Sequence, residues 1–154
     1  MNSEEIVRFY SDMMYKIAFR YARNQYDAED IVSEVFLTYF KKERTFESEE
    51  HRKAWLIRVT INEAKTLLSG RRYDEEINEE IVGGEDRQTD TDDAIDLRTA
   101  IERLPEHQRE VITLFYLQDL SIVQIADILE KNKNTVAVTL ARARENLKSF
   151  LSTE

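Results

Sequence analysis

Two stretches of this sequence concentrate cationic and amide side chains, the groups that bind phosphates and the edges of nucleic-acid bases. Residues 51–72 carry six Lys or Arg against one acidic residue, and residues 131–148 carry five against one. Either stretch alone could be an ordinary solvated helix face. Basic clusters at two separate places in the chain are better explained by a protein that follows a DNA duplex.

A different chemistry, metal-dependent catalysis, would need the carboxylates of Asp27, Asp30 and Glu34 as ligands. The chain has no Cys, and its only two histidines, His51 and His107, are far apart in sequence and far from these acids. The Glu-x-x-His pair that holds metals in helical bundles is also missing. We therefore predict no enzymatic activity, no catalytic residue, no metal and no cofactor.

Helices must position these residues. Only three Gly and one Pro occur in 154 residues, which leaves little turn chemistry for sheets, while the helix formers Glu, Arg, Leu and Ala are abundant. The fold class is therefore predicted to be all-α. No apolar run approaches membrane-spanning length, and the N-terminus lacks the basic and apolar parts of a signal peptide, so we expect a cytoplasmic protein without membrane insertion.

The net charge of −9 is concentrated in one segment of the chain. Residues 73–93 contain ten acidic residues and one basic residue, so the remainder sums to zero. This segment includes Gly83 and Gly84 and shows no helical period, which is typical of a flexible, self-repelling linker. We therefore predict two small helical domains, residues 1–72 and residues 94–154, joined by an acidic flexible linker.

The first domain is predicted to be a bundle of three helices around one core. Helical periodicity covers residues 4–23 and 26–40, and Ser48 is a typical N-cap for a third helix that carries the first basic stretch. Trp55, in that third helix, is predicted to be a core residue rather than a platform for stacking bases. On the second helix a wheel gives one apolar stripe: Ala28, Ile31, Val32, Val35, Phe36 and Tyr39.

The opposite face of the second helix carries Asp30, Ser33, Glu34 and Leu37. A leucine among acidic residues has two interpretations. It is either a scattered surface residue, which is common, or the contact point for a partner that surrounds an apolar spot with basic residues.

The second domain has the pattern of a helix-turn-helix. The only proline, Pro105, is predicted at the first position of a helix, where no backbone donor is lost. Ser121 and Gln124 can form a capping box for the next helix. A polar break, KNKN, then precedes a last helix capped by Asn134 or Thr135.

Apolar residues at helical spacing predict how the last two helices pack. Ile125, Ala126 and Leu129 should face the core, and the last helix has its own buried stripe: Val136, Leu140, Ala143 and Leu147. An ordinary antiparallel helix pair would show a similar apolar pattern. It gives no reason, however, for five Lys and Arg to gather along the last helix, which favours the helix-turn-helix.

Taken together, the two domains resemble the extracytoplasmic-function (ECF) group of bacterial sigma factors. YARNQYDAEDIVSEVFLTYF is similar to that family's helix that docks on core RNA polymerase, and HRKAWLIRVTINEAKTLLSGRR to its minus-ten-reading segment. IERLPEHQREVITLFYLQDLSIVQIADILEKNKNTVAVTLARAREN is similar to its minus-thirty-five-reading domain. The resemblance covers nearly the whole chain except the linker, in the family's order.

The resemblance implies a bacterial transcription initiation factor that directs core RNA polymerase to promoters by reading the minus-ten and minus-thirty-five elements. Its partners would be promoter DNA and core RNA polymerase, through the clamp coiled coil of the largest subunits. The family's usual regulator is an anti-sigma factor, and whether one restrains this protein is left open. The core-binding residues implied are Asp27, Asp30, Ser33, Glu34 and Leu37.

The resemblance also implies two sets of DNA-binding residues. The minus-ten set, with Asn62 at a base-contact position, is Arg52, Lys53, Arg58, Asn62, Lys65, Arg71 and Arg72. The minus-thirty-five set is Lys131, Lys133, Asn134, Thr135, Ala137, Val138, Thr139, Arg142 and Arg144.

The sequence departs from the family in two places in the second domain. Glu130 and Lys131 replace the turn glycine and the apolar residue after it, which leaves the turn geometry open. Ala137, Val138 and Thr139 stand where the family has basic and hydroxyl residues. Short side chains can touch thymine methyl groups but cannot form the bidentate pairs that distinguish bases, so we expect weak binding that depends on phosphates and on A·T-rich shape.

A conventional helix-turn-helix regulator, binding as a dimer without core polymerase, is the alternative interpretation. Copurification with core polymerase distinguishes the two, because a repressor does not need that contact, whereas a palindromic binding site would indicate the regulator.

Overall fold

The protein consists of helices throughout the part described by its computed structural model, residues 1–75 and 96–152, with side chains described except at 71–75. No β-strand occurs among these residues. The chain divides into two compact units, Met1–Arg87 and Gln88–Glu154. The prediction of an all-α protein with two helical domains is confirmed. The linker is predicted over residues 73–93. Its first three residues, 73–75, belong to a helix, and the rest, 76–93, lie outside the described residues.

Three helices form the first unit: α1 (Ser3–Ala22), α2 (Gln25–Lys41) and α3 (Glu49–Glu75). Each begins at a polar side chain that accepts a hydrogen bond from the first turn. Asn2 and Asn24 cap α1 and α2, and the Ser48 hydroxyl accepts from the His51 N–H at 3.2 Å, as predicted. Arg23, in a left-handed conformation, ends α1, so only two residues separate α1 from α2.

The core of the first unit lies where these three helices meet. The predicted stripe of α2 faces it, with Val32 half-buried and the other five residues buried. Met14 of α1 and Leu56 and Ile57 of α3 are fully buried on the other sides. Because α2 buries this stripe, its opposite face is left on the surface.

The second unit contains α4 (Leu97–Glu102), α5 (Glu106–Ile112), a π-helical turn (Thr113–Leu117), α6 (Ile122–Leu129) and α7 (Lys133–Leu151). Pro105 stands one residue before the helix rather than at its first position, a small correction to the prediction. Its carbonyl accepts from the N–H groups of Gln108 and Arg109 at 3.0 and 2.9 Å.

Helix α6 begins at the predicted capping box, since the Ser121 hydroxyl accepts from the Gln124 N–H at 3.1 Å and the Gln124 side chain accepts from the Ser121 N–H at 2.9 Å. The prediction that Asn134 or Thr135 caps α7 is wrong. Asn132 is the cap, and its side-chain oxygen accepts from the Thr135 N–H at 3.1 Å. Lys133, Asn134 and Thr135 therefore form the first turn of α7.

The turn between α6 and α7 keeps the geometry that a glycine would give. Glu130 has φ 57° and ψ 49°, in the left-handed region, and ends α6. The Lys131 N–H donates to the Ala126 carbonyl at 2.9 Å. All four residues of the predicted α7 stripe are buried, and so are Ile125 and Ala126. On α6, however, Ile128 rather than the predicted Leu129 is buried, and Leu129 is half-buried.

Candidate polymerase and nucleic-acid interfaces

The outward face of α2, defined as Asp30, Ser33, Glu34 and Leu37, is one continuous exposed surface. Leu37 is 62% exposed although α2 has a well-formed core face. Asp27, the fifth predicted contact, is half-buried and accepts a hydrogen bond from the Asn24 amide at 2.8 Å. The structure therefore brings four of the five predicted residues together and places Asp27 at the capped start of the helix.

Next to the outward face of α2, residues of α1 and α2 line an open surface cavity of about 380 Å³. It is lined by Ser11, Tyr15, Glu29, Val32 and Ser33. Ser33 belongs to both features, so the outward face of α2 borders this cavity, and Glu29 adds an acidic residue to the lining.

On α3, three of the predicted minus-ten residues form one row, which we call the α3 row: Arg58, Asn62 and Lys65. Their spacing of four and three residues places them above one another on the helix surface. Asn62 and Lys65 are exposed, Arg58 is half-buried, and the Lys65 ammonium lies 6.0 Å from the centre of the Tyr21 ring.

The other minus-ten candidates are placed differently. Lys53 is half-buried, and its spacing puts it off the α3 row. Arg71 and Arg72 belong to α3, but their side chains lie outside the described residues.

Arg52 lies apart from the α3 row and is held by protein groups. Its side chain is only 15% exposed and pairs with Glu49 of the same helix. Its Nε donates to the Tyr39 hydroxyl at 3.1 Å, and its guanidinium lies 5.4 Å from the Phe46 ring centre. The sequence shows a cation in a basic stretch, but it does not show that α2 supplies the partner.

Glu49 also connects α3 to α1, because it accepts a hydrogen bond from the Tyr10 hydroxyl at 2.6 Å. Burial, the hydrogen bond to Glu49 and the charge of Glu49 raise the pKa of Tyr10 above its usual value, so this hydroxyl remains a donor at physiological pH.

Trp55 packs against the core, as predicted. Its ring lies 5.7 Å from that of Tyr39 and 6.2 Å from that of Phe46, and the Arg44 guanidinium lies 4.4 Å from its centre. The ring is therefore already covered by protein groups on several sides, which opposes a role as an open stacking platform.

In the second unit, the start of α7 presents Lys131, Lys133, Asn134 and Thr135 to solvent. The Thr135 N–H donates to the Asn132 side-chain oxygen at 3.1 Å, so it is already used within the cap of α7. The N–H groups of Lys133 and Asn134 precede the first internal helical bond, so they point out of the helix end and can meet an anion.

Beyond its first turn, α7 exposes mainly short apolar side chains. Ala137, Val138 and Ala141 are exposed, with Val138 at 48%, and Arg142 is exposed beside them. Thr139 is half-buried, so it contributes less to this face than the sequence suggested. The predicted shortage of long donors on the face is therefore also a feature of the structure.

Arg144 is exposed but held in place by residues that sequence reasoning missed. Its Nε donates to the Tyr116 hydroxyl at 2.8 Å, and its guanidinium lies 5.6 and 5.5 Å from the ring centres of Phe115 and Tyr116. These two aromatic residues belong to the π-helical turn, for which the sequence gives no pattern.

No group of three or more His, Cys, Asp and Glu side chains is arranged to hold a metal ion within the described ranges. None of the helices there combines the length and the apolar character that crossing a membrane requires.

Comparison with known proteins supports the same division of the chain. The family models for Sigma-70 region 2 and Sigma-70 region 4 match residues 6–73 and 94–147. RNA polymerase sigma factor SigV of Bacillus subtilis is 31% identical over 145 residues, covering 91% of this chain and 85% of that protein. The ECF RNA polymerase sigma-E factor of Haemophilus influenzae is 31% identical over 163 residues, covering 94% and 84%. The chain belongs to the ECF sigma factors.

A solved structure shares the fold of this ECF sigma factor. Sigma factor RpoE of Bartonella quintana, in complex with the anti-sigma factor NepR, aligns with a TM-score of 0.75 over 98% of this chain and 97% of that one, at 22% identity. As a member of its family, this sigma factor is a transcription initiation factor that directs RNA polymerase to promoters, and the alternative of a regulator acting without the polymerase is not favoured.

Proposed function

We propose that this sigma factor binds core RNA polymerase through the outward face of α2 and reads promoter DNA through the α3 row and α7. Residues 1–72 then form the domain for core binding and minus-ten recognition, and residues 94–154 the domain for minus-thirty-five recognition. The exposed Leu37 carries this proposal, because it lies among Asp30, Ser33 and Glu34 opposite a stripe that α2 buries in the core. An apolar centre with a charged rim is typical of a binding hot spot.

The DNA-binding part of the proposal rests on the groups that each helix presents. In the α3 row, Asn62 can donate to and accept from a base edge, while Arg58 and Lys65 can hold phosphates. At the start of α7, the side chains of Lys131 and Lys133 lie near the outward-pointing backbone N–H groups of Lys133 and Asn134. Arg142 adds a further cation along the helix.

The chain itself catalyses no reaction, as expected for a family of non-enzymatic transcription factors, and it acts in the cytoplasm, where the polymerase is. An anti-sigma factor regulates this sigma factor. The structural similarity to RpoE, which was solved in complex with the anti-sigma factor NepR, supports such regulation.

Core binding is tested with a double variant in which two residues of the outward face of α2 are replaced, Asp30→Lys and Leu37→Ala. Burying the exposed part of Leu37 and pairing Asp30 with a partner cation should together contribute about 2–4 kcal/mol to association. We expect the double variant to bind core polymerase at least about thirtyfold more weakly in fluorescence anisotropy, with unchanged far-ultraviolet circular dichroism.

A matched control is available on α1, where Phe9 is 65% exposed and Glu4 is an exposed acid. Glu4→Lys with Phe9→Ala makes the same change in charge and a similar loss of apolar surface, and it should bind core polymerase as the native protein does. Undiminished binding by the α2 variant would refute the assignment of this face.

A further inference from the structure

One chain of hydrogen bonds joins all three helices of the first unit. The Tyr10 hydroxyl of α1 donates to Glu49 at 2.6 Å, Glu49 pairs with Arg52 on α3, and the Arg52 Nε donates to the Tyr39 hydroxyl of α2 at 3.1 Å. Tyr10 and Tyr39 are only 3% and 6% exposed, so the two ends of this chain are anchored inside the fold.

Arg52 also contacts the segment that connects α2 to α3. Its guanidinium lies 5.4 Å from the Phe46 ring centre, and the Phe46 ring stacks nearly parallel to that of Tyr39, at 6.2 Å and 8°. The cation therefore touches α2, α3 and their connection at once. With 15% of its side chain exposed, it has little surface left for a DNA phosphate.

We propose that Arg52 is a positioning residue for promoter binding: held by Glu49 and Tyr39, its guanidinium fixes the first turn of α3 on α2 and does not itself contact DNA. This inference rests on the proposed function of the α3 row. Arg58, Asn62 and Lys65 follow Arg52 on the same rigid helix, so the first turn of α3 determines the angle at which they meet the melted strand.

The chemistry of the guanidinium makes this role specific to arginine. Its planar fork donates from Nε to Tyr39 and from a terminal nitrogen to Glu49 at the same time. A lysine at this position keeps the charge, but its ammonium is a point donor on a flexible stem and cannot reproduce the fixed geometry. A phosphate contact would respond differently, because it needs the charge more than the fork.

The test uses the full-length protein assembled with core polymerase and a double-stranded fragment carrying a promoter identified by mapping transcription start sites. Three variants are compared: Tyr39→Phe, which removes only a buried hydroxyl, Arg52→Lys, which keeps the charge, and Arg52→Gln, which removes it. Lys65→Gln is the control for loss of a phosphate contact. Promoter affinity is measured over a range of salt concentrations, and core affinity and circular dichroism are measured alongside it.

If Arg52 positions α3, Tyr39→Phe and Arg52→Lys both weaken promoter binding by up to about tenfold, because the lost hydrogen bond to a charged group limits how strongly it can favour the binding orientation of α3. Core affinity stays at the native value, and the dependence of log affinity on log salt keeps its slope. Lys65→Gln instead reduces that slope by about 0.7–0.9, the loss of one phosphate contact.

A direct DNA contact by Arg52 would give the opposite pattern. Arg52→Lys and Tyr39→Phe would then bind as the native protein does while Arg52→Gln flattened the salt dependence, and this result overturns the positioning role alone. An equal fall in core affinity for Tyr39→Phe would also overturn it, because the network would then support the whole unit. A native holoenzyme that does not bind the promoter refutes the proposed function, and the positioning role with it.

Discussion

The turn between α6 and α7 is strained at Glu130, and replacing this residue by glycine should stabilise the second unit. Glu130 has a positive φ of 57°. A residue with a Cβ atom loses roughly 1–2 kcal/mol in this region, whereas glycine adopts it freely. The hydrogen bonds that close the turn use the backbone N–H groups of Glu130 and Lys131, so Glu130→Gly retains them.

The expected gain follows from two opposing contributions. Glycine removes the strain of roughly 1–2 kcal/mol but increases the freedom of the unfolded chain, which costs about 0.4–1 kcal/mol. The net increase in the free energy of unfolding is therefore about 1 kcal/mol. For a unit of this size, such a change raises the melting temperature by about 4–8 °C.

Thermal unfolding of the full-length protein, followed by calorimetry or circular dichroism, measures this shift. Glu130→Gln removes the same charge but keeps the strain, and it should melt near the native temperature. Glu145→Gly places glycine at an exposed position inside α7, where it should destabilise by about 1 kcal/mol. A Glu130→Gly variant that is no more stable than Glu130→Gln would show that Glu130 is not strained.

Two further predictions concern DNA. Asn62→Ala should change the preference among minus-ten variants, whereas Lys65→Ala should weaken all of them alike and reduce the salt dependence; open-complex assays that show the reverse would mean that the two roles are exchanged. On α7, Ala137→Lys with Thr139→Arg should tighten binding to the minus-thirty-five element, and the exposed Ala137 should account for more of the gain than the half-buried Thr139. Strong discrimination between G·C and A·T substitutions by the native second domain at moderate salt would contradict the assumption that α7 lacks base-reading side chains.

The sequence predicts well those features that depend on residues close together in the chain. The Ser48 cap, the Ser121–Gln124 capping box and the buried stripes of α2 and α7 are all determined by spacings of three or four residues. The cap of α7 was missed for a local reason as well. Asn132 and Asn134 are both good caps two residues apart, and only the structure shows which of them begins the helix.

The sequence does not predict features that depend on partners distant in the chain. Tyr39 lies 13 residues from Arg52, and Tyr116 lies 28 residues from Arg144. A count of basic residues treats both arginines as free cations, whereas one is held inside the first unit and the other rests on a π-helical turn. Basic stretches therefore show where cations are concentrated along the chain, but not which of them are already held by protein groups.

The distribution of charge along α7 explains how a helix with few donors can still dock on a duplex. Lys133 and Arg144 are 11 residues apart, or about 16 Å along the axis, and this spacing of about three full turns places them on nearly the same side of the helix. Cations so arranged can meet phosphates along one side of a groove, and the Tyr116 hydroxyl limits the orientations open to the Arg144 guanidinium. Between them, Ala137, Val138 and Ala141 are short enough to let the helix backbone approach the bases closely. We therefore expect affinity from these cations and only thymine methyl contacts from the short side chains between them, so that Tyr116→Phe should weaken binding to all minus-thirty-five variants by the same factor. A variant-dependent loss, measured on a panel of such elements at fixed salt, would show that Arg144 reads bases.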